Sequence, residues 1–461
     1  MGKPDINVPI RRAIMFKPIN NIKVRIIGAG LAGSEAAYQL LKRGVYVELY
    51  DMKPKKFSPA HKSENFAELV CSNSLKSNDL STASGLLKQE LRMLDSLLIS
   101  VADKVKIPAG SALAVDREKF SELITNKLKS FNNLKIISNE VVDLDLSVPT
   151  IIATGPLSSD SFSEYLSHLI GEKHLYFYDA IAPIISYDSI DFNHTFVRDR
   201  YNKGESGGDY VNIGLNKEEY FAFHDALIQA ETVTLKEFET LKVFEGCMPI
   251  EVLAKRGIES LRFGPLKPVG VTDDEGKKPY AVIQLRKEKN NNDSYNIVGF
   301  QTNLTFNAQR EVISSLPALK NAEFLRYGTM HKNTYINFPK VLNKDFNMKT
   351  HKNIFFAGQL SGVEGYVESI ASGLVAGLNM FMQLNNHNFI EFGNNTLIGA
   401  LQNYLCNSNC YNFQPMSVNM GLLSHIAPKT KNKGEKNSQI ATQAVNNMKN
   451  VIDFNKNMIY L

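Results

Sequence analysis

Four cysteines, at positions 71, 247, 406 and 410, are the only thiols of the chain. A cysteine reacts as its thiolate, so each is judged by what would lower its pKa. Cys71 runs into Ser72-Asn73-Ser74, residue types that cap helix N-termini, and the positive end of a helix favours a thiolate. Cys406 and Cys410 stand four apart with no matching His or Cys pair, and we read them as structural rather than metal ligands. The bland alternative for any single cysteine is a small buried apolar residue. A second chemical signal is the turn Gly28-Ala29-Gly30-Leu31-Ala32-Gly33, followed after 17 intervening residues by Asp51. Gly28 permits a tight turn, Gly30 lets backbone approach a pyrophosphate, and Gly33 permits close helix–strand packing. Asp51 stands where a carboxylate accepts from ribose hydroxyls.

The elements around this turn agree with it. Val24–Ile27 has the length of a short strand, Leu31–Arg43 has helical composition, and Val45–Tyr50 alternates as a second strand. The bland alternative, a glycine-rich turn in some other α/β domain, does not require all these parts together. Leu134–Val142 and Ser147–Ile152 read as strands, the latter running on to Gly155, a second close backbone approach. Leu86–Ile99 carries Leu87, Leu91, Leu94 and Leu98 at one helical spacing, and Asp116–Leu128 is another helix. Late in the chain the pattern returns. Asn353–Ala357 is a strand, Gly358-Gln359-Leu360-Ser361-Gly362 a glycine turn, and Val363–Leu384 a helix. That is where flavoproteins complete a cofactor site. Tyr366 is read either as stacking near a flavin or as a core residue. Between these halves the texture changes, with a Gly-, Asp- and Tyr-rich stretch and strands at Tyr280–Arg286 and Tyr295–Thr302. The organisation expected is α/β: a Rossmann-like domain over 21–203 and 327–427, interrupted by a smaller α+β insertion at 204–326. A polar tail, 428–461, is expected to begin as a solvated, partly disordered loop carrying Lys429, Lys431, Lys433 and Lys436.

The totals set bounds. A chain of 461 residues is too long for one core, and 43% hydrophobic with 21% charged residues is ordinary for a globular protein. A net charge of +5 is compatible with RNA without requiring it. No apolar run is expected to reach the ~18 residues of a membrane helix. The first 21 residues lack the long apolar region of a signal peptide, and Met15 is an alternative start. With four cysteines in so long a chain, a reducing, cytoplasmic setting is expected.

Ten segments in order then carry a specific resemblance: GAGLAGSEAAYQLLKRG, ELVCSNSLKSN, YDAIAPII, EGCMPIE, LRFGPLKPVG, PYAVIQLR, VGFQTNLTF, RYGTMHKNTYIN, FFAGQLSGVEGYVESIASGL and FQPMSVNMGLL. From about Lys23 to Leu423 the chain resembles the folate- and FAD-dependent tRNA (uracil-5-)-methyltransferases. The large flavoproteins that modify the tRNA wobble uridine share the opening glycine motif but not ELVCSNSL or EGCMPIE.

The resemblance implies a chemistry and its residues. Carbon 5 of uracil becomes nucleophilic when a thiolate adds to carbon 6, and a base then removes the carbon 5 proton. The one-carbon unit comes from 5,10-methylenetetrahydrofolate, with FAD as carrier and reductant, itself reduced by NADH or NADPH. Cys247 is assigned as nucleophile and Cys71 as acid/base, the reverse being open. Gly28 to Gly33, Asp51, Gly155, Gly358, Gln359, Gly365 and Tyr366 would hold the cofactor. His331, Lys332 and Asn333 fall in a folate-proximal segment; the alternative is a loop bonded to its own backbone. Lys332 replaces the family's usual Arg and loses its bidentate fork. Asp51 replaces the usual Glu. Lys53, Lys55, Lys56, Lys62, Arg256, Arg262 and Lys267 are candidates for an RNA path, each more often simply a solvated charge. The expected partner is the T-loop uridine of tRNA, or alternatively a uridine of large-subunit ribosomal RNA. An RNA-binding flavoprotein without methyl transfer and a plain NAD(P)H oxidase are the readings from other classes. Oligomeric state and nicotinamide preference are not legible.

Overall fold

The computed structural model describes residues 22–171, 175–202, 208–233, 248–288, 294–411 and 413–459. The first sheet is five-stranded and wholly parallel, in the order Ile354–Phe356, Thr150–Ile152, Lys23–Ile27, Tyr46–Asp51, Leu134–Ser138. Its strands are short apolar runs with Val24, Ile26, Val47, Leu49, Ile151 and Phe355 fully buried, as a sheet covered on both faces requires.

Helix Leu31–Leu41 follows the first strand, and helix Tyr366–Leu384 lies across it. Small residues set that approach. A Cβ on Gly373 would stand 2.2 Å from the Ala32 carbonyl oxygen, and one on Gly33 would stand 1.8 Å from that of Gly28. By length and composition, Tyr366–Leu384 is apolar enough to cross a membrane, contrary to the sequence expectation, but 89% of its most apolar window is buried inside the fold. It is a core helix.

The second sheet is antiparallel, in the order Phe196–Val197, Tyr210–Leu215, Ala281–Lys287, Ser294–Ile297, Ile184–Ser186, Phe324–Arg326. It reaches back before residue 204, to strands at 184–186 and 196–197. Its own apolar core gathers Tyr220, Phe223, Ile283, Leu285 and Ile297. An α/β Rossmann-like fold interrupted by a second layer is thus what the chain forms.

Three local expectations need correction. The Leu86–Ile99 stripe is two helices, Ala83–Met93 and Leu97–Lys104. Asp95 takes φ +57°, and the Ser96 hydroxyl caps the second helix by accepting from Ile99 N–H. The Ser72-Asn73-Ser74 run leads into strand Ser74–Ser77, not a helix. The polar tail folds from Asn432, whose side chain caps helix Lys433–Phe454 through Gly434 and Glu435 N–H. Ile440, Ala444, Met448 and Ile452, spaced by four, are buried on it, and it packs against Ala83–Met93.

Candidate functional site

A cleft partly open to solvent runs along the carboxyl ends of the parallel strands. Gly28, Ala29, Gly30, Leu31, Ala32, Asp51, Gly155, Gly358, Gln359 and Tyr366 line it. Of the cofactor residues expected, Gly33 and Gly365 act from behind. Gly33 makes room for Gly28, and Gly365 ends the turn before helix Tyr366–Leu384 at φ +119°.

The lining fits a dinucleotide. A Cβ on Gly30 or Gly155 would meet nothing within 4 Å, so both backbones are open to a ligand. The helices starting at Leu31 and Tyr366 have glycine at the N-cap and no side-chain capping bond, which leaves first-turn N–H groups for an anion. The Asp51 carboxylate accepts from Ala29 N–H at 3.0 Å and Lys53 N–H at 2.9 Å, which fixes it at the cleft wall with lone pairs to spare. His61, which the sequence reading missed, also lines the cleft. Its Nδ1 lies 2.6 Å from the Ser58 hydroxyl, and burial holds its pKa below the ordinary histidine value.

The Cys71 loop abuts this cleft. Val70 lines it, and the Tyr366 hydroxyl accepts from the N–H groups of Cys71 at 2.7 Å and Ser72 at 3.1 Å. Burial first, and the nearby Cys71 thiol next, push the Tyr366 phenol upward, so it stays protonated. With no helix starting here, the positive charge near Cys71 comes from arginines. Arg326 donates to the carbonyls of Val70 at 3.0 Å and Cys71 at 3.1 Å. Arg286 donates to the Ser72 hydroxyl and the Asn73 side chain. Arg117 donates to the Leu69 carbonyl and pairs with Glu288 at 2.8 Å. Burial opposes the charge of Arg117, but Glu288, Tyr366 and Cys71 together outweigh it, and its pKa stands raised. Burial, then Arg117, brings Arg326 down to about 10. The only signal for Arg286 and Arg326 was an arginine at the end of an apolar strand.

Residues 331–333 lie on strand Met330–Tyr335, paired antiparallel with Leu175–Ala180, not on a loop. Thr334 donates both its N–H and its hydroxyl to the Pro156 carbonyl at 3.0 Å, which sets this strand against the Gly155–Pro156 cleft wall. Asn333 is buried; the side chains of His331 and Lys332 lie outside the described residues. Cys247 also lies outside them. The chain just beyond it is anchored: Ile250 N–H donates to the Gln301 carbonyl, and the buried Glu251 accepts from Thr302 Oγ1 and Asn303 N–H. Among the basic candidates, Lys53 is buried on the Ser63 and Asn65 carbonyls, and Arg262 is stacked 3.7 Å over Tyr280 and paired with Glu259. Both charges already have partners within the fold.

A family model described as glucose inhibited division protein A matches residues 23–388. The solved structure of Aquifex aeolicus GidA aligns with a TM-score of 0.67 over 93% of this chain and 73% of that one, at 16% identity, a likeness of fold. The methylenetetrahydrofolate–tRNA-(uracil-5-)-methyltransferase of Bacillus licheniformis is 51% identical over 94% of this chain and 99% of its own. That of Bacillus subtilis is likewise 51% identical over the same shares, and that of Acetivibrio thermocellus 50% over 93% and 98%. With half its residues shared along nearly the whole length of these relatives, the chain belongs to the methylenetetrahydrofolate–tRNA-(uracil-5-)-methyltransferase family.

Proposed function

We propose that this protein methylates carbon 5 of a uridine in tRNA, the T-loop uridine in particular. The one-carbon unit is drawn from 5,10-methylenetetrahydrofolate, FAD is the bound cofactor, and NADH or NADPH is the reductant. The observation that carries this reading is the hydrogen bond from Cys71 N–H to the Tyr366 hydroxyl, because Tyr366 lines a cleft fitted for a dinucleotide. A thiol segment and a flavin site on one wall is what uracil methylation needs. Bound FAD supplies carrier and electron-transfer chemistry that no side chain has.

The chain's own residues supply the rest. Cys247 is the nucleophile for carbon 6 of the base, and Cys71 handles the carbon 5 proton. The guanidinium groups of Arg117 and Arg326 favour a Cys71 thiolate and hold its backbone still. The strand carrying His331, Lys332 and Asn333 is the folate wall, beside Gly155 and Pro156. Surface Lys55, Lys62, Arg256 and Lys267 lie toward the RNA.

The test is to incubate the purified protein with methylenetetrahydrofolate, NADPH or NADH, and unmodified tRNA and ribosomal RNA, then map 5-methyluridine. Methylation at the T-loop, abolished by Cys247→Ala and by Cys71→Ala with flavin still bound, is the expected result. Methylation of ribosomal RNA alone would move the substrate. No methyluridine in either RNA, with flavin bound, would overturn the assignment in favour of a flavin oxidase. Trapping of RNA on Cys71 rather than Cys247 would exchange the two roles.

A further inference from the structure

Phe306 opens helix Phe306–Ser314 and is 52% exposed. Its ring meets that of Tyr327 at 4.5 Å and 22°, and Tyr327 meets Phe324 at 4.7 Å and 7°. Phe324 is seated on the core of the second sheet. The three rings thus form one stack with its inner end on the core and its open end at Phe306. One turn on, Arg310 donates from Nε to the Tyr327 hydroxyl at 2.6 Å, and its guanidinium carbon lies 5.5 Å from that ring's centre. Arg310 is exposed and has no ion pair among the described residues.

The stack is held rigidly. The fully buried Gln309 donates to the carbonyls of Gly328 and Leu304 and accepts from Gly328 N–H, each at 2.8 Å, latching the helix to the strand end that bears Tyr327. It also lies between the Cys71 loop and the described chain that follows Pro249. Arg326, next to Tyr327, binds the Cys71 carbonyl, while Thr302 and Asn303, just before the helix, bind Glu251 in the segment after Pro249.

We infer that Phe306, Tyr327 and Phe324 form a stacking platform for an RNA base next to the target uridine, with Arg310 on the adjoining phosphate. The inference rests on the function proposed above. A nucleobase has a flat π-face, and stacking on an open ring needs no base-specific hydrogen bonds. With its Nε on the Tyr327 hydroxyl, the Arg310 guanidinium keeps its terminal NH2 groups for a phosphate oxygen pair. The folate pterin is a poorer occupant, since none of Phe306, Arg310, Phe324 and Tyr327 lines the dinucleotide cleft. A base held there would keep its unstacked neighbour beside the Cys71 loop.

The test uses the flavin-loaded protein and an unmodified T-arm RNA hairpin. Phe306→Ala should raise both the KM and the Kd for the hairpin about tenfold, with flavin content, folate KM and Tm unchanged. Phe306→Trp should restore both constants, and Phe306→Leu should not. Arg310→Gln should reduce the slope of log affinity against log salt by about 0.7, one phosphate on a single strand. Parental RNA affinity in Phe306→Ala, or a rise confined to the folate KM, would overturn the platform. A parent protein that methylates no RNA would instead overturn the function on which it rests.

Discussion

At the dinucleotide cleft, the groups facing a ligand belong to the backbone of Gly28–Ala32 and Gly155, supplied by short loops at the ends of neighbouring parallel strands. A few ångströms along, the Cys71 loop is held by side chains drawn from positions 117, 286 and 326, which span the helical layer and the second sheet. A backbone site needs only glycines at set spacing and a strand–helix unit to present them. A side-chain site needs the whole chain folded before any of its guanidinium groups reaches a carbonyl. The first region should therefore fail through sterics and lost flavin, and the second through lost turnover with flavin retained.

Gly33→Ala should separate the two most sharply. Its Cβ would stand 1.8 Å from the Gly28 carbonyl oxygen, backbone against backbone. A loss of about 3 kcal/mol or more is expected, read by urea unfolding, together with loss of the flavin absorbance. Native stability with full flavin content would show that the turn tolerates a side chain.

Arg326→Met comes next. It removes the donor from the Val70, Cys71 and Ala182 carbonyls. The expected cost is about 2 kcal/mol and at least a tenfold fall in kcat (about 1.4 kcal/mol of barrier), with flavin content unchanged. If flavin is lost in step with turnover, the two regions are one unit and the contrast fails.

Glu90→Gln probes how the cleft scaffold is tied together. The Glu90 carboxylate accepts from Leu397 and Ile398 N–H at the start of helix Leu397–Asn407, as Glu35 does from Leu98 N–H at the start of its own neighbour. Burial raises the Glu90 pKa from 4.5 to about 8. Between those values the folded protein keeps a proton that the unfolded chain has lost. Stability should therefore fall as pH rises from about 4.5 to 8, by at most about 1.4 kcal/mol per pH unit, and flatten above. Glu90→Gln should abolish that slope in unfolding free energies measured across the range; an unchanged slope would assign it to other groups.

The smallest effect is expected for Lys56→Ala. Lys56 pairs with Glu140 at 2.7 Å on the exposed rim of the cleft. The change should cost less than about 0.5 kcal/mol and leave flavin content and the RNA KM within about twofold. A large rise in RNA KM would return this lysine to the RNA path and extend the side-chain site across the rim.

The same contrast explains what was legible. Strand Lys23–Ile27, helix Leu31–Leu41 and Asp51 could be read because each is declared within a few residues by period, glycine spacing and a closing acid. The break at Asp95 was hidden, because an unbroken leucine stripe carries no mark of a serine cap and one left-handed residue. The Ser72-Asn73-Ser74 run was misread because the same hydroxyls and amides that cap helices also bond elsewhere; Ser72 accepts from Arg286, and Asn73 donates to the carbonyls of Val115 and Lys287. The tail helix was masked by its lysines, although Ile440, Ala444, Met448 and Ile452 repeat every four residues.

By itself the sequence determined the local chemistry: a glycine turn on a strand, a helix whose N-terminus is left uncapped, an acid at the ribose distance, and cysteines in segments that resemble those of a methyltransferase family. Those features depend on neighbours in the chain. Tertiary structure alone decided that Tyr366 bonds to the Cys71 backbone across 295 positions and that Arg326 reaches it across 255. It also decided that Phe306 ends an open ring stack near that loop. Such contacts arise from packing helices on one sheet against another. Nothing in the spacing of the chain records which side chain will meet a given backbone group.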